Sequence, residues 1–180
     1  MRILKTALAA VAVVGAVLAT GTPAGAQSTA PSERSVEQQV QGLLQYNKGA
    51  KRVGTDTVQL APGVSVTVAD ASRAVPADWF NCDRGWLCLW EDSNMNGARI
   101  NFTDCRRENL GSYRTDKGYT WNDRVTSYSN NQSGNVQSKF YDNGTHVLTE
   151  GATGYRRNLS YDKDINGNHL NDRIDAVQVC

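Results

Sequence analysis

The stretch Asn122-Asp123-Arg124-Val125 returns forty-nine positions later as Asn171-Asp172-Arg173-Ile174. Each copy follows a bulky apolar residue, Trp121 or Leu170, and each leads into a strand-like run, 125–129 or 174–179. A repeat at this spacing predicts a structural unit built twice, with oxygen-bearing side chains where a loop becomes a strand. From Trp79 onward the rest of the sequence agrees. Short β-type segments at 87–91, 98–103, 124–129, 137–141, 146–149, 155–159 and 173–179 alternate with turns rich in Asn, Gly and Asp, and no useful helical period interrupts them. The expected fold is all-β, a sandwich of two Greek keys over residues 79–180. Trp86, Trp90, Phe102, Trp121, Tyr128 and Phe140 are its bulky core candidates.

The N-terminus reads as an export leader. Arg2 and Lys5 precede an apolar run at 8–18, and Ala24-Gly25-Ala26 offers a small-x-small cleavage site, so residues 1–26 are expected to be removed before Gln27. The run is too short to span a bilayer comfortably. Removal takes two of the 19 Lys and Arg and none of the 18 Asp and Glu, leaving a formal charge of −1. That balance excludes a general polyanion binder, so no nucleic acid is expected as a partner. The location expected is extracellular, with no membrane association after cleavage and a monomeric state.

All four cysteines, Cys82, Cys88, Cys105 and Cys180, fall in the domain. An even count in an exported chain reads as two disulfides, since C-x-x-C zinc spacing is absent and only His146 and His169 could assist. Cys82–Cys88 with Cys105–Cys180 is the favoured pairing because it fastens the chain end. Cys88–Cys105 with Cys82–Cys180 is the rival.

Between leader and domain, residues 27–35 are polar and small, with the composition of a disordered stretch. Ser35 and Gln38 form a capping-box pair for a helix at 36–46, whose apolar positions are Val36, Val40, Leu43 and Leu44. Runs at 53–60 and 64–69 flank Pro62-Gly63 as a hairpin. The helix and hairpin, 36–69, are too small to be stable alone and either dock on the domain or act as a pro-segment. Residues 70–78 read as a linker.

Trp90-Glu-Asp-Ser-Asn-Met-Asn-Gly97 places glycine seven residues after an aromatic, a spacing suited to a folded hairpin in which glycine takes a positive-φ bend close to the ring. Together with Asn122-Asp123-Arg124-Val125-Thr126-Ser127 it resembles the βγ-crystallin Greek key with its N/D-N/D-x-x-S/T-S calcium motif. The Cys82-x5-Cys88-Leu89-Trp90 run resembles in particular the βγ-crystallin-like peptidase inhibitor family of the streptomycete metalloproteinase inhibitor type. The resemblance covers residues 80–180 and is stronger in the first half. It implies Ca²⁺ held between the two motifs, each lending ligands to both sites: Asn122, Asp123, Arg124 and Thr126 from one, Asn171, Asp172 and Asp175 from the other. The second motif departs from the pattern, with Asp175 where Ser or Thr is expected and Ala176 for the final Ser, and neither Phe140 nor Tyr141 has the following glycine. Asp162-Lys-Asp164-Ile-Asn166-Gly167 also opens like an EF-hand loop. Its twelfth position is Arg173 instead of Glu, so it reads better as an Asp- and Asn-rich turn.

Enzyme chemistry finds no support, because H-E-x-x-H, G-x-S-x-G and P-loop patterns are all absent and the adjacent Glu91-Asp92 would face opposite ways on a strand. The resemblance implies a secreted peptidase inhibitor, targeting a metalloproteinase, with an extracellular protease as its partner. The longest irregular candidate for an inhibitory loop is 105–119, carrying Arg106, Arg107, Arg114 and Lys117. Two other readings belong to different classes: a calcium-stabilised extracellular binding or structural module, and a killer-toxin-like antimicrobial protein. N-terminal sequencing of the secreted protein is expected to begin at Gln27; a chain beginning at Met1 overturns the leader assignment.

Overall fold

The computed structural model describes residues 34–70 and 81–180. The leader, most of the stretch at 27–35 and most of the linker at 70–78 lie outside these residues. Among the described residues no helix is long and apolar enough to cross a membrane.

Helix α1, Val36–Tyr46, begins with the expected capping box. The Ser35 hydroxyl accepts the Gln38 backbone N–H at 3.2 Å, and the Gln38 side chain accepts the Ser35 N–H at 3.0 Å. The first strands are β1, Lys51–Arg52, β2, Thr57–Ala61, and β3, Val64–Thr67. They are followed by β4, Leu87–Trp90, β5, Arg99–Phe102, β6, Arg107–Asn109, β7, Ser127–Asn130, β8, Gln137–Asp142, β9, Thr145–Gly151, β10, Tyr155–Arg156, and β11, Ala176–Gln178. Two antiparallel sheets result, ordered β1-β2-β3-β5-β4-β7-β10 and β6-β11-β8-β9.

The expected duplication is visible in the strand order. In the first repeat β4, β5 and β7 share one sheet while β6 crosses to the other; in the second, β8, β9 and β11 share the other sheet while β10 crosses back. Each Greek key thus donates its third strand to its sister. The repeat also runs well beyond the Asn-Asp-Arg letters. Leu110 and Leu159, Trp121 and Leu170, and Val125 and Ile174 occupy equivalent positions, and all six are fully buried. The sheets meet through Tyr128 of β7 and Phe140 of β8, whose ring centroids lie 4.5 Å apart. Trp90, Phe102 and Trp121 are buried as expected, whereas Trp86 is only half-buried, packed on a separate small cluster of Cys82, Cys88, Trp90 and Met95.

In the full chain residues 36–69 dock on the domain. Strand β3 pairs with β5, Val64 opposite Phe102 and Val66 opposite Ile100, so the hairpin extends the first sheet. Its inward Val58, Val64 and Val66 join the same core as Val40 and Leu43 of α1. The helix sits so close to the domain that a Cβ at Gly42 would collide with the Asp116 carbonyl oxygen. Both favoured disulfides form: Cys82–Cys88 ties the start of the domain to β4, and Cys105–Cys180 ties the chain end to the β5–β6 connection. Leu43 is fully buried, so Leu43→Ala is expected to lower the unfolding free energy by about 2–5 kcal/mol in a denaturant titration. No change would mean that α1 contributes nothing to the core.

Candidate functional site

Each Asn-Asp pair first makes a turn. Asp123 and Asp172 both take left-handed backbone conformations, φ 56° and 52°, which Asp and Asn adopt at lower cost than other side chains. The preceding amide of each copy donates to its own aspartate, Asn122 to Asp123 at 2.7 Å and Asn171 to Asp172 at 2.6 Å. The two turns are stitched together reciprocally. Asp123 N–H donates to the Ile174 carbonyl at 3.1 Å and Asp172 N–H to the Val125 carbonyl at 3.2 Å. Leu110 N–H reaches the Asp175 carbonyl and Leu159 N–H the Thr126 carbonyl, both at 2.8 Å.

This arrangement brings the fifth position of each motif to the second position of the other. The Thr126 hydroxyl donates to the Asp172 carboxylate at 3.4 Å. On the sister side Asp123 lies within the influence of Asp175 and Asp142; partial burial first, then those two carboxylates, push its carboxyl above the ordinary range. Asp172 is also raised, again by partial burial first, while the Thr126 hydroxyl and Arg124 oppose the rise. Asp175 accepts the Asn143 N–H at 2.5 Å, and Asp142 pairs with Arg173. The buried Oδ1 of Asn171 has no hydrogen-bond partner. Arg124 turns its guanidinium away, onto Glu91 at 3.8 Å and over the Tyr119 ring at 4.6 Å. A groove of about 760 Å³ opens on the Thr126 side, lined among others by Glu91, Asp92, Arg114, Lys117 and Asp172.

Among the described residues, no three carboxylate, imidazole or thiol groups converge closely enough to hold a metal by themselves. A cation here would have to use hydroxyl and backbone oxygens as well, a donor set that suits Ca²⁺ and not zinc or copper. Asp92, Asp142 and Asn143 were not among the candidates read from sequence. The signals that could have found them were the Trp90-to-Gly97 hairpin and the Asn143-Gly144 pair, since both hairpins join the strands that flank the turns.

The two hairpins explain why the second motif departs from the first. Between β4 and β5 the chain makes a folded loop, and Ser127 holds it: its hydroxyl donates to the Asp92 carbonyl at 2.6 Å and accepts the Met95 N–H at 3.1 Å. Gly97, at φ 77°, is needed there because a Cβ would lie 2.6 Å from the Asp92 carboxylate; the close neighbour is that carboxylate and not the expected aromatic ring. Between β8 and β9 the connection is Asn143-Gly144, both at positive φ, the signature of a tight type I′ hairpin. There is no loop to hold, so Ala176 needs no hydroxyl.

Two other candidates are placed differently from their sequence reading. The 105–119 stretch is not an irregular loop. It contains β6, paired with β11, a helical turn at Leu110–Ser112 and a bridge from Arg114 to Thr120. Arg106 is held by Asp104, Glu108 and the Pro62 carbonyl, and Arg107 stacks 3.9 Å from the Tyr141 ring centroid. The Arg114 backbone exchanges two hydrogen bonds with the Asn47 side chain, at 2.8 and 3.0 Å. Of the four, only Lys117 leaves its side chain exposed without a hydrogen bond, ion pair or ring contact. The EF-hand-like opening is a turn: Asp164 caps it, accepting the N–H groups of Asn166 and Asn168 at 2.8 and 2.9 Å.

Ser127→Ala removes both bonds of the hairpin clip and leaves a buried Met95 N–H unpaired. A loss of about 1–3 kcal/mol is expected by chemical denaturation. A loss below 0.5 kcal/mol, roughly the size of a surface change, would mean that the clip contributes little.

No curated protein matches the chain. A solved structure described as "Evolution of the eye lens beta-gamma-crystallin domain fold" aligns with 64% of this chain and 94% of its own, at 18% identity and a TM-score of 0.43. The family model for peptidase inhibitor family I36 matches residues 75–152. Those residues span the disulfide-bonded entry, the folded hairpin, the first Asn-Asp turn and the β8–β9 hairpin.

Proposed function

We propose that the protein is exported and inhibits an extracellular peptidase, with Ca²⁺ as a stabilising ligand of the inhibitor. The observation that carries the inhibitor reading is the match of residues 75–152 to the peptidase inhibitor family. Physical support comes from rigidity. A scaffold closed by two disulfides and a shared core presents its surface with little conformational freedom left to lose on binding. The test is residual activity of thermolysin-type, subtilisin-type and trypsin-type peptidases titrated with the protein. Stoichiometric inhibition of at least one is expected, and full activity of all three overturns the reading.

For calcium, Thr126 and Asp172 would hold one ion and Asp123 and Asp175 the other, with backbone oxygens of the turns completing each set. Bound Ca²⁺ would supply positive charge where carboxylates crowd. What supports the fit is that crowding, together with the unpartnered Asn171 Oδ1. Extracellular calcium modules bind at about 10⁻⁴ to 10⁻³ M. At ten times Kd the linkage relation gives about 1.4 kcal/mol, about 3–6 °C in melting temperature. Because the Asp123 and Asp172 carboxyls are raised in the metal-free fold, their contribution favours the folded state below the ordinary carboxylate range and is lost as pH rises through their folded values. Ca²⁺ acts in the opposite sense, so its increment should be largest near neutrality and shrink on acidification. A melting temperature unmoved by millimolar Ca²⁺ at neutral pH, in the parent and in Asp172→Asn alike, removes calcium from the proposal.

A further inference from the structure

The duplication gives each repeat an equivalent turn after its helical 110–112 or 159–161 segment, one at 113–120 and one at 162–169. The two turns share their hydrogen-bond plan: Gly118 N–H donates to the Thr115 carbonyl and Gly167 N–H to the Asp164 carbonyl, each at 3.0 Å. Their surroundings differ. The first is covered by the N-terminal segment, where Arg34 bonds Asp116 and Gly42 packs against the Asp116 carbonyl, leaving Asp116 only 6% exposed. At the second, the position equivalent to Asp116 is Ile165, which is 91% exposed, and Tyr161 beside it is 85% exposed. These are the two most exposed large apolar side chains among the described residues.

A single exposed apolar residue is ordinary. Ile165 on a turn pinned from within and Tyr161 on the helical segment leading into it form a presented surface. Asp164 accepts four hydrogen bonds, from the N–H groups of Asn166 and Asn168 and from the side chains of Asn168 and Arg173. Lys163 bridges to His169, and Leu170 N–H closes on the Asp162 carbonyl at 3.1 Å. Both carboxylates of the turn are matched by cations, Asp162 by Arg156 at 3.0 Å and Asp164 by Arg173 at 3.3 Å. What projects is therefore Ile165 and Tyr161, set beside the exposed polar side chains of Lys163, Asn166, Asn168 and His169. A side chain as exposed as Ile165, on a turn fixed by its own hydrogen bonds, can enter a concave pocket without rearrangement of the turn.

We propose that the turn at residues 162–169 is the surface that enters the target peptidase, with Ile165 filling a specificity pocket that takes a branched aliphatic side chain and Tyr161 lying against the neighbouring subsite. The proposal rests on the peptidase-inhibitor reading, which supplies the class of partner. Side chains buried at the centre of an interface dominate its affinity, so Ile165 and Tyr161 carry most of the binding at this turn.

The experiment compares inhibition constants of the parent, Ile165→Asp, Ile165→Leu, Tyr161→Ser and, as a control on the N-terminal segment, Lys48→Glu, against whichever peptidase the parent inhibits. Melting temperature and sedimentation are measured alongside. Ile165→Asp is expected to weaken inhibition by about tenfold or more with an unchanged melting temperature, Tyr161→Ser to weaken it as well, Ile165→Leu to stay near the parent, and Lys48→Glu to match it. Parental inhibition by Ile165→Asp overturns the proposal and leaves the inhibitor reading standing. A parent that inhibits none of the three peptidase classes overturns both. A parent dimer that Ile165→Asp converts to monomer also overturns it, since the turn would then be an interface between copies.

Discussion

The reciprocal stitching of the two Asn-Asp turns is the constraint on which the architecture depends. Each turn lends its second residue's N–H to a carbonyl in the other, and the residues on either side, Trp121 and Val125, Leu170 and Ile174, drive into a single core. Strand exchange acts in the same direction. Because β6 belongs to the second sheet and β10 to the first, neither sheet is complete without a piece of the opposite repeat. Polar geometry at the turns and apolar burial beneath them thus enforce one arrangement, which is how a sequence comes to specify a unique structure.

Much of this was legible because it was written in periodic or local signals. The capping box at Ser35 and Gln38, the hairpin around Pro62-Gly63 and most domain strands follow from patterns a few residues long. The disulfide pairing rested only on the advantage of fastening the chain end. Strand β6 was missed for a specific reason. Its inward residue is Glu108, buried against the Tyr113 hydroxyl at 2.6 Å and the Arg106 guanidinium, so Arg-Arg-Glu-Asn reads as surface when its middle is interior. The second motif misled in a comparable way. Its missing serine looked like decay of a site, yet Ala176 is what a tight Asn-Gly hairpin leaves room for once no folded loop has to be held.

The N-terminal segment changes the meaning of the first sheet. Strand β5 would otherwise present an unpaired edge next to Ile100 and Phe102, a ready template for pairing with another chain. With β3 laid along it the exposed edge moves outward to β1, two residues long, with Lys51 and Arg52 both exposed. A short, charged edge is a common device against aggregation. The same segment braces one of the two equivalent turns and leaves the other bare, so a symmetric pair of repeats becomes a molecule with one supported side and one presented side.

The exchanged third strands have a consequence for ancestry and for engineering. A polypeptide holding only one repeat would own three strands of one sheet and a single strand meant for another, and its Asn-Asp turn would offer an N–H with no carbonyl opposite. Two identical copies meeting about a twofold axis would supply each other with what is missing. The short 131–136 segment between β7 and β8 is then a covalent tether across what could be a dimer axis. Cut there, the halves would remain joined by Cys105–Cys180, and only with that bond reduced would burial of the shared core alone hold them together.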